Sequence, residues 1–181
     1  MKKLLKLARA SLEAKFSGSK VDLTEYSEFS EKQGVFVTLH KKSAKGKELR
    51  GCIGYPYPVT PLNKAVAQAA QAAGFEDYRF SPLMKSELDD VAIEISVLSV
   101  PEEIVGDEKE IVSKIKIGED GLIIKSPKGS GLLLPQVFDE HKVDNVVKAL
   151  EMTCEKAWLP KDAWKEKDCQ VFKFQAEIIS E

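Results

Sequence analysis

Histidine and cysteine are scarce in this chain: two and three of 181 residues. The histidines are His40 and His141, and the cysteines are Cys52, Cys154 and Cys169. No C-x-x-C pair occurs. So odd and sparse a set makes no disulfide framework. It also lacks the closely spaced ligand pairs of a structural zinc site, and no metal centre is expected. A mixed His/carboxylate site drawn from three separate elements stays open. A histidine-rich catalytic relay is excluded by count, and any Cys–His pair must use His40 or His141. Long apolar runs are missing too: none approaches the roughly 18 residues of a membrane-spanning helix. At the start of the chain Lys2, Lys3, Lys6 and Arg9 interrupt Leu4, Leu5, Leu7 and Leu12. That leaves no unbroken apolar stretch of the kind a secretory signal needs, so the expected address is the cytoplasm. Neither an internal repeat nor a flexible linker composition is present.

What remains is an ordinary globular chain, 43% hydrophobic and 31% charged. Its length predicts one domain, 1–181, able to bury its own core. The net charge of −2 argues against a protein that coats nucleic acid. The charge is uneven, however: residues 1–60 carry 12 Lys/Arg against 6 Asp/Glu, and residues 61–181 carry 15 against 23. The basic portion reads either as a solvated face whose charges pair elsewhere or as a weak anion-facing surface, and the third functional expectation is weak nucleic-acid binding through it, with Lys41, Lys42, Lys45 and Lys47 as contacts.

Periodicity supplies the elements. Leucines 4, 5 and 12 with Ala8 predict an amphipathic helix over 1–16, stopped near Gly18. Residues 17–33 read as a covering loop. Residues 34–40 and 49–54 read as a β-hairpin around a basic turn at 41–47. Thr60 and Pro61 predict an N-cap and first position for a small-residue helix over 62–73, ended by Gly74. Residues 91–100 alternate as a half-buried strand. A short helix is expected over 107–114, a turn and strand over 116–125, a turn at Gly129-Ser-Gly131, a helix over 144–154 and one closing strand over 169–179. Hairpin turns outnumber crossovers, which favours an α+β fold with a mainly antiparallel sheet packed against helices.

Three stretches invite chemistry. In Arg50-Gly-Cys-Ile-Gly54 two glycines bracket a cysteine, leaving room for backbone or ligand to approach. Arg50 lies two residues from Cys52, on the same face of a strand, where its guanidinium would favour a nucleophilic thiolate. The other reading makes Cys52 a small buried hydrophobe in a tight strand. In Phe75-Glu-Asp-Tyr-Arg-Phe80, Glu76 or Asp77 would handle a proton or orient a substrate. Alternatively Arg79 pairs with a carboxylate and locks the loop, with Phe75 and Phe80 as anchors. Lys128-Gly-Ser-Gly131 matches no phosphate-binding spacing and reads as a turn. His141 reads as a solvated helix end, Glu94 as a solvated or ion-paired position, and Trp158 and Trp164 as a capped corner of the core. Whether His40 reaches Cys52 depends on the hairpin register, which the sequence leaves open.

Taken together, Gly34-Val-Phe-Val-Thr-Leu39, Leu49-Arg-Gly-Cys-Ile-Gly54, Phe75-Glu-Asp-x-Arg-Phe80, Ile93-Glu-Ile-Ser-Val-Leu-Ser99, Asp120-Gly-Leu-Ile-Ile124 and Gly131-Leu-Leu-Leu-Pro-Gln-Val137 resemble the AMMECR domain family over nearly the whole chain. The resemblance implies an α+β fold with a larger lobe, a smaller lobe and a cleft near the hexapeptide. It implies no particular reaction or cofactor. Arg50, Cys52, Glu76, Asp77, Arg79 and Gln136 fall on its motifs. Of these, Cys52, Arg50, Glu76 and Asp77 are the candidates for chemistry. Arg79 and Gln136, with Gly51 and Gly54, are the candidates for ligand binding. Relatives occur beside or fused to Memo-like proteins and radical S-adenosylmethionine enzymes, so such a protein is an expected partner. Trp158 departs from the pattern, standing where relatives usually show glycine, and so does Tyr57 with its two flanking prolines. A cleft enzyme using Cys52 on a small molecule and a non-catalytic adaptor are therefore the leading expectations.

Overall fold

The structure, a computed structural model, describes residues 1–43 and 46–181. The chain divides into two compact units, one formed by Met1–Val100 with Glu177–Glu181 and the other by Pro101–Ala176. Among the described residues no helix is long and apolar enough to cross a membrane.

In the first unit, helix α1 (Lys2–Ser17) and helix α2 (Leu62–Phe75) pack on a four-stranded sheet. Its strands are β1 (Gly34–Ser43), β2 (Gly46–Tyr55), β3 (Val91–Leu98) and β8 (Ala176–Ser180). They lie in the order β2-β1-β3-β8, with β1 antiparallel to both of its neighbours. Strand alternation sends Val35, Val37, Leu39, Ile93 and Ile95 into a core shared with Leu4, Leu7, Leu12, Val66, Ala69 and Ala70. All of these are fully buried. The same alternation turns Phe36, Thr38 and His40 to the opposite face, where they are half-buried. The small residues of α2 let that helix lie close on the strands.

Several local expectations are corrected here. Helix α2 starts at Leu62, with Pro61 in extended backbone just before it, rather than at Pro61 behind a Thr60 cap. It also runs through Gly74 to Phe75, because the carbonyl of Gly74 is satisfied by the Leu83 N–H at 2.7 Å. Loop 17–33 contains a short 3-10 turn at Thr24–Phe29, from which Tyr26 and Phe29 pack on the core. Strand β3 is buried at every position except Glu94, on both faces rather than one, as befits an inner strand of its sheet. The expected basic turn is shorter than 41–47, since β1 and β2 stay paired out to Ser43 and Gly46; Ala44 and Lys45 lie outside the described residues.

The second unit holds strands β4 (Glu102–Glu103), β5 (Gly121–Ser126), β6 (Gly129–Leu133) and β7 (Gln170–Phe174) in the order β4-β7-β5-β6. Helices α3 (Glu108–Ser113), α4 (Pro135–Glu140) and α5 (Val146–Lys156) accompany it. Leu122, Ile124, Phe138, Leu150, Cys154, Trp164 and Val171 form its core. Gly129 and Gly131 belong to β6, not to a turn; the hairpin pairs Ser126 with Gly129 and bends between them at Pro127-Lys128. The single closing strand expected over 169–179 is two strands. β7 joins this sheet and β8 joins the other, with Gln175 between them. No glycine or proline marks that break, so only the pairing partners reveal it. Trp164 is buried as expected, whereas Trp158 is 96% exposed and stands at φ 59°.

Candidate functional site

The hairpin register sets the site. Thr38 of β1 lies opposite Cys52 of β2 on one side and opposite Glu94 of β3 on the other. The Thr38 hydroxyl donates to Cys52 Sγ at 3.3 Å. Glycine at the flanking positions has a steric reason in each case. A Cβ at Gly51 would run into the carbonyl of Ala73 in α2, so Gly51 faces the helices and its neighbour Cys52 faces away. A Cβ at Gly54 would strike the Phe36 ring and come within 2.6 Å of the Val35 carbonyl.

Strand β2 is an edge of its sheet, and the Phe75–Phe80 segment covers that edge at Cys52. The Cys52 N–H donates to Asp77 Oδ2 at 2.9 Å, and Arg79 Nη2 donates to the Cys52 carbonyl at 3.2 Å. Arg79 is itself paired with Asp77, Nε to Oδ1 at 2.9 Å and Nη2 to Oδ2 at 2.6 Å. The pair therefore supplies the partners that a neighbouring strand would otherwise give. The Arg79 hydrogen bonds and the Cys52 N–H hold the buried Asp77 carboxyl down at about 2. An acid held so low is a clamp rather than a proton acceptor near neutrality. The Arg79 side chain is 43% exposed and lies over the Phe80 ring.

Arg50 is directed elsewhere. Between Leu39 and His40 the register shifts, so β2 carries one extra residue and simple alternation with Cys52 fails. The Arg50 guanidinium meets Glu87 through Nε and Nη2, both at 2.9 Å. That pairing holds the Glu87 carboxyl down at about 2. The cationic neighbour of Cys52 is Arg79 instead.

Burial pushes the Cys52 thiol above its ordinary value, opposed by the Thr38 hydrogen bond and by Arg79, and reinforced by Asp77 and Glu94. At neutral pH the resting group is thus a thiol, not a thiolate. Burial likewise raises Cys154, and it raises Cys169 to about 11. On the same sheet face, His40 Nε2 and Lys47 Nζ each lie 4.0 Å from a Glu94 carboxylate oxygen.

The structure thus brings Cys52, Asp77 and Arg79 together. Glu76 caps the end of α2 and is exposed. Gln136 belongs to the second unit, half-buried on α4. Thr38 and Glu87 escaped the sequence reading, whereas Glu94 takes the ion-paired alternative expected for it, with His40 and Lys47 as neighbours. Among the described residues no three His, Cys, Asp or Glu side chains form a metal-binding group.

Comparison with known proteins places the chain among relatives. The family model described as AMMECR1 matches residues 5–179. A protein of Thermococcus onnurineus is 46% identical, over 98% of this chain and 88% of that protein. One of Methanocaldococcus jannaschii is 44% identical over the same shares. The crystal structure of an uncharacterized protein from Pyrococcus horikoshii superposes with a TM-score of 0.90 at 42% identity, covering 98% of this chain and 89% of that one.

Proposed function

The chain belongs to the AMMECR1 family, and on that footing we propose that its first unit is a small-molecule site in which Cys52 is the reacting group. The observation that carries this reading is the fixed presentation of the thiol. Its N–H and its carbonyl are held along the sheet edge by Asp77 and Arg79, and the half-buried Cys52 faces away from the helices. The Thr38 hydroxyl donates to the sulfur and holds its direction. Arg79 keeps exposed guanidinium surface beside the thiol, so the substrate class favoured is a small electrophile bearing a carboxylate or another anion. Arg50, Glu76 and Gln136 have no part in this reading, and Asp77 serves by holding Arg79 and the Cys52 backbone.

The test is a panel of small acyl donors and carboxylate-bearing electrophiles, followed by intact mass. Adducts are expected on the wild-type chain, absent in Cys52→Ser and weakened in Arg79→Gln for the anionic members alone. An adduct pattern indifferent to Cys52 contradicts the reading.

A second reading, docking of a Memo-like or radical S-adenosylmethionine protein, draws on a different observation. Tyr78, between the two clamp residues, is 94% exposed, and Met84 nearby in sequence is 62% exposed. Co-purification lost in Tyr78→Ala with Cys52 labelling intact would favour it.

A further inference from the structure

Phe36 is an aromatic residue that neither hydrophobic core accounts for. It is half-buried on the sheet face away from the helices, and among the described residues it packs against neither core cluster. Strand register places it opposite Gly54 of β2 and Ser96 of β3. The ring leans toward β2: a Cβ at Gly54 would lie 2.3 Å from its Cδ1 and 2.4 Å from its Cγ. Gly54 thus leaves the strand bare, so that a flat ring can lie on it.

Cys52 and Gly54 are two residues apart on a regularly paired stretch of β2, so both belong to this same face. Two residues of strand span about 7 Å, which puts the Phe36 ring within the length of a small molecule from the thiol. The thiol therefore has unlike neighbours around it. Thr38 lies opposite, its hydroxyl on the sulfur, with Glu94 beyond it in the same row. At the sheet edge is the Arg79 guanidinium, part of it exposed. Along the strand, over Gly54, is an apolar ring.

We infer that Phe36 is a specificity-determining residue of the Cys52 site, selecting substrates that carry a flat apolar group as well as an anion beside the reacting carbon. This inference rests on Cys52 being the reacting group. The anion faces Arg79 at the sheet edge, and the flat group stacks on Phe36 over Gly54, with the reacting carbon between them at the sulfur. In the step, the sulfur lone pair forms an S–C bond while the bond from that carbon to its leaving group breaks. The leaving group departs with the electron pair, and the thiol proton is released to water. An aromatic group on the substrate covers more apolar surface than a methyl group and aligns its ring with that of Phe36. Phe36 exchanges no proton or electron; it sorts substrates.

The experiment compares 2-bromo-2-phenylacetate with 2-bromopropionate as alkylators of Cys52, read peptide by peptide on the full chain. Each rate is divided by that of the unfolded chain, which removes the difference in intrinsic reactivity. Wild type is expected to prefer the phenyl reagent by about tenfold. Phe36→Leu keeps a large apolar residue on the strand and should bring the ratio close to unity, while Phe36→Tyr should preserve it. A second measurement needs no variant: millimolar phenylacetate should slow iodoacetamide labelling of Cys52 in the wild-type chain, and acetate should not. A wild-type ratio close to unity, a ratio that Phe36→Leu leaves unchanged, or equal protection by the two acids overturns the inference while leaving Cys52 as the reacting group. A Cys52 that stays unlabelled in the native chain, yet labels fully once unfolded, overturns both.

Discussion

Asp77 accepts the backbone N–H of Cys52 at 2.9 Å with a carboxylate that Arg79 grips from the other side. This makes the loop after α2 a substitute for a missing strand, and the sheet edge depends on it. Asp77→Ala should destabilise the chain by roughly 2–3 kcal/mol, because it strands a buried donor and releases Arg79. Denaturant titration measures the loss; a change below half a kcal/mol would show the clamp to be ornamental.

Stability should fall on acidification with a sign that the same pairs dictate. Asp77 and Glu87 each sit at about 2 when folded, below the ordinary 3.8 and 4.5. Between those values the unfolded chain binds more protons, so unfolding free energy rises with pH and is lost as pH falls from about 5 to 2. The contribution is on the order of 2–3 kcal/mol from each pair at neutral pH. Urea melts at pH 6, 4 and 3 should show this slope, and Asp77→Asn or Glu87→Gln should each flatten it. An unaltered slope in both variants contradicts the assignment.

Arg50 and Cys52 should be separable. Arg50→Gln leaves the half-buried Glu87 without its bidentate partner and should cost about 3 kcal/mol. The labelling profile of Cys52 should stay as in wild type, because Arg79 is the cation beside it. A shifted Cys52 profile would restore Arg50 to the thiol's neighbourhood.

Trp158 should be replaceable at a gain. It holds φ 59° with 96% of its surface exposed, so its side chain adds strain with little burial in return. Trp158→Gly should raise stability by about 1 kcal/mol. A lower Tm would mean that the indole makes a contact of value.

How far the sequence reached can be traced through particular residues. Leu4, Leu12, Val37 and Leu150 declared their elements by period, since burial of one face writes itself into spacing. The hairpin was legible, but its register was not: whether Thr38 or His40 opposes Cys52 turns on a two-residue shift that no composition records. The extra residue at Arg50 is of the same kind, and it overturned the expected pairing of Arg50 with the thiol. Glu87 lies 37 positions from Arg50, beyond any local rule. Glycines 51 and 54 announced a close approach; which group approaches, the Ala73 carbonyl or the Phe36 ring, is a tertiary fact. The division of residues 169–179 between two sheets was hidden for the same reason, because strand propensity says nothing about partners.

The central claim is that Cys52 is presented for reaction, whereas Cys154 is buried and the half-buried Cys169 has its thiol pushed up to about 11. Peptide-resolved labelling of the native chain by a small haloacetamide near pH 8 tests it most directly. Cys52 is half-buried on its sheet face, Cys154 is fully buried, and Cys169 is held at about 11 by its surroundings. The account predicts a Cys52 adduct that forms well before any on Cys169, while Cys154 should wait for unfolding. Labelling of all three together, only on unfolding, would contradict it and leave the hexapeptide as packing alone.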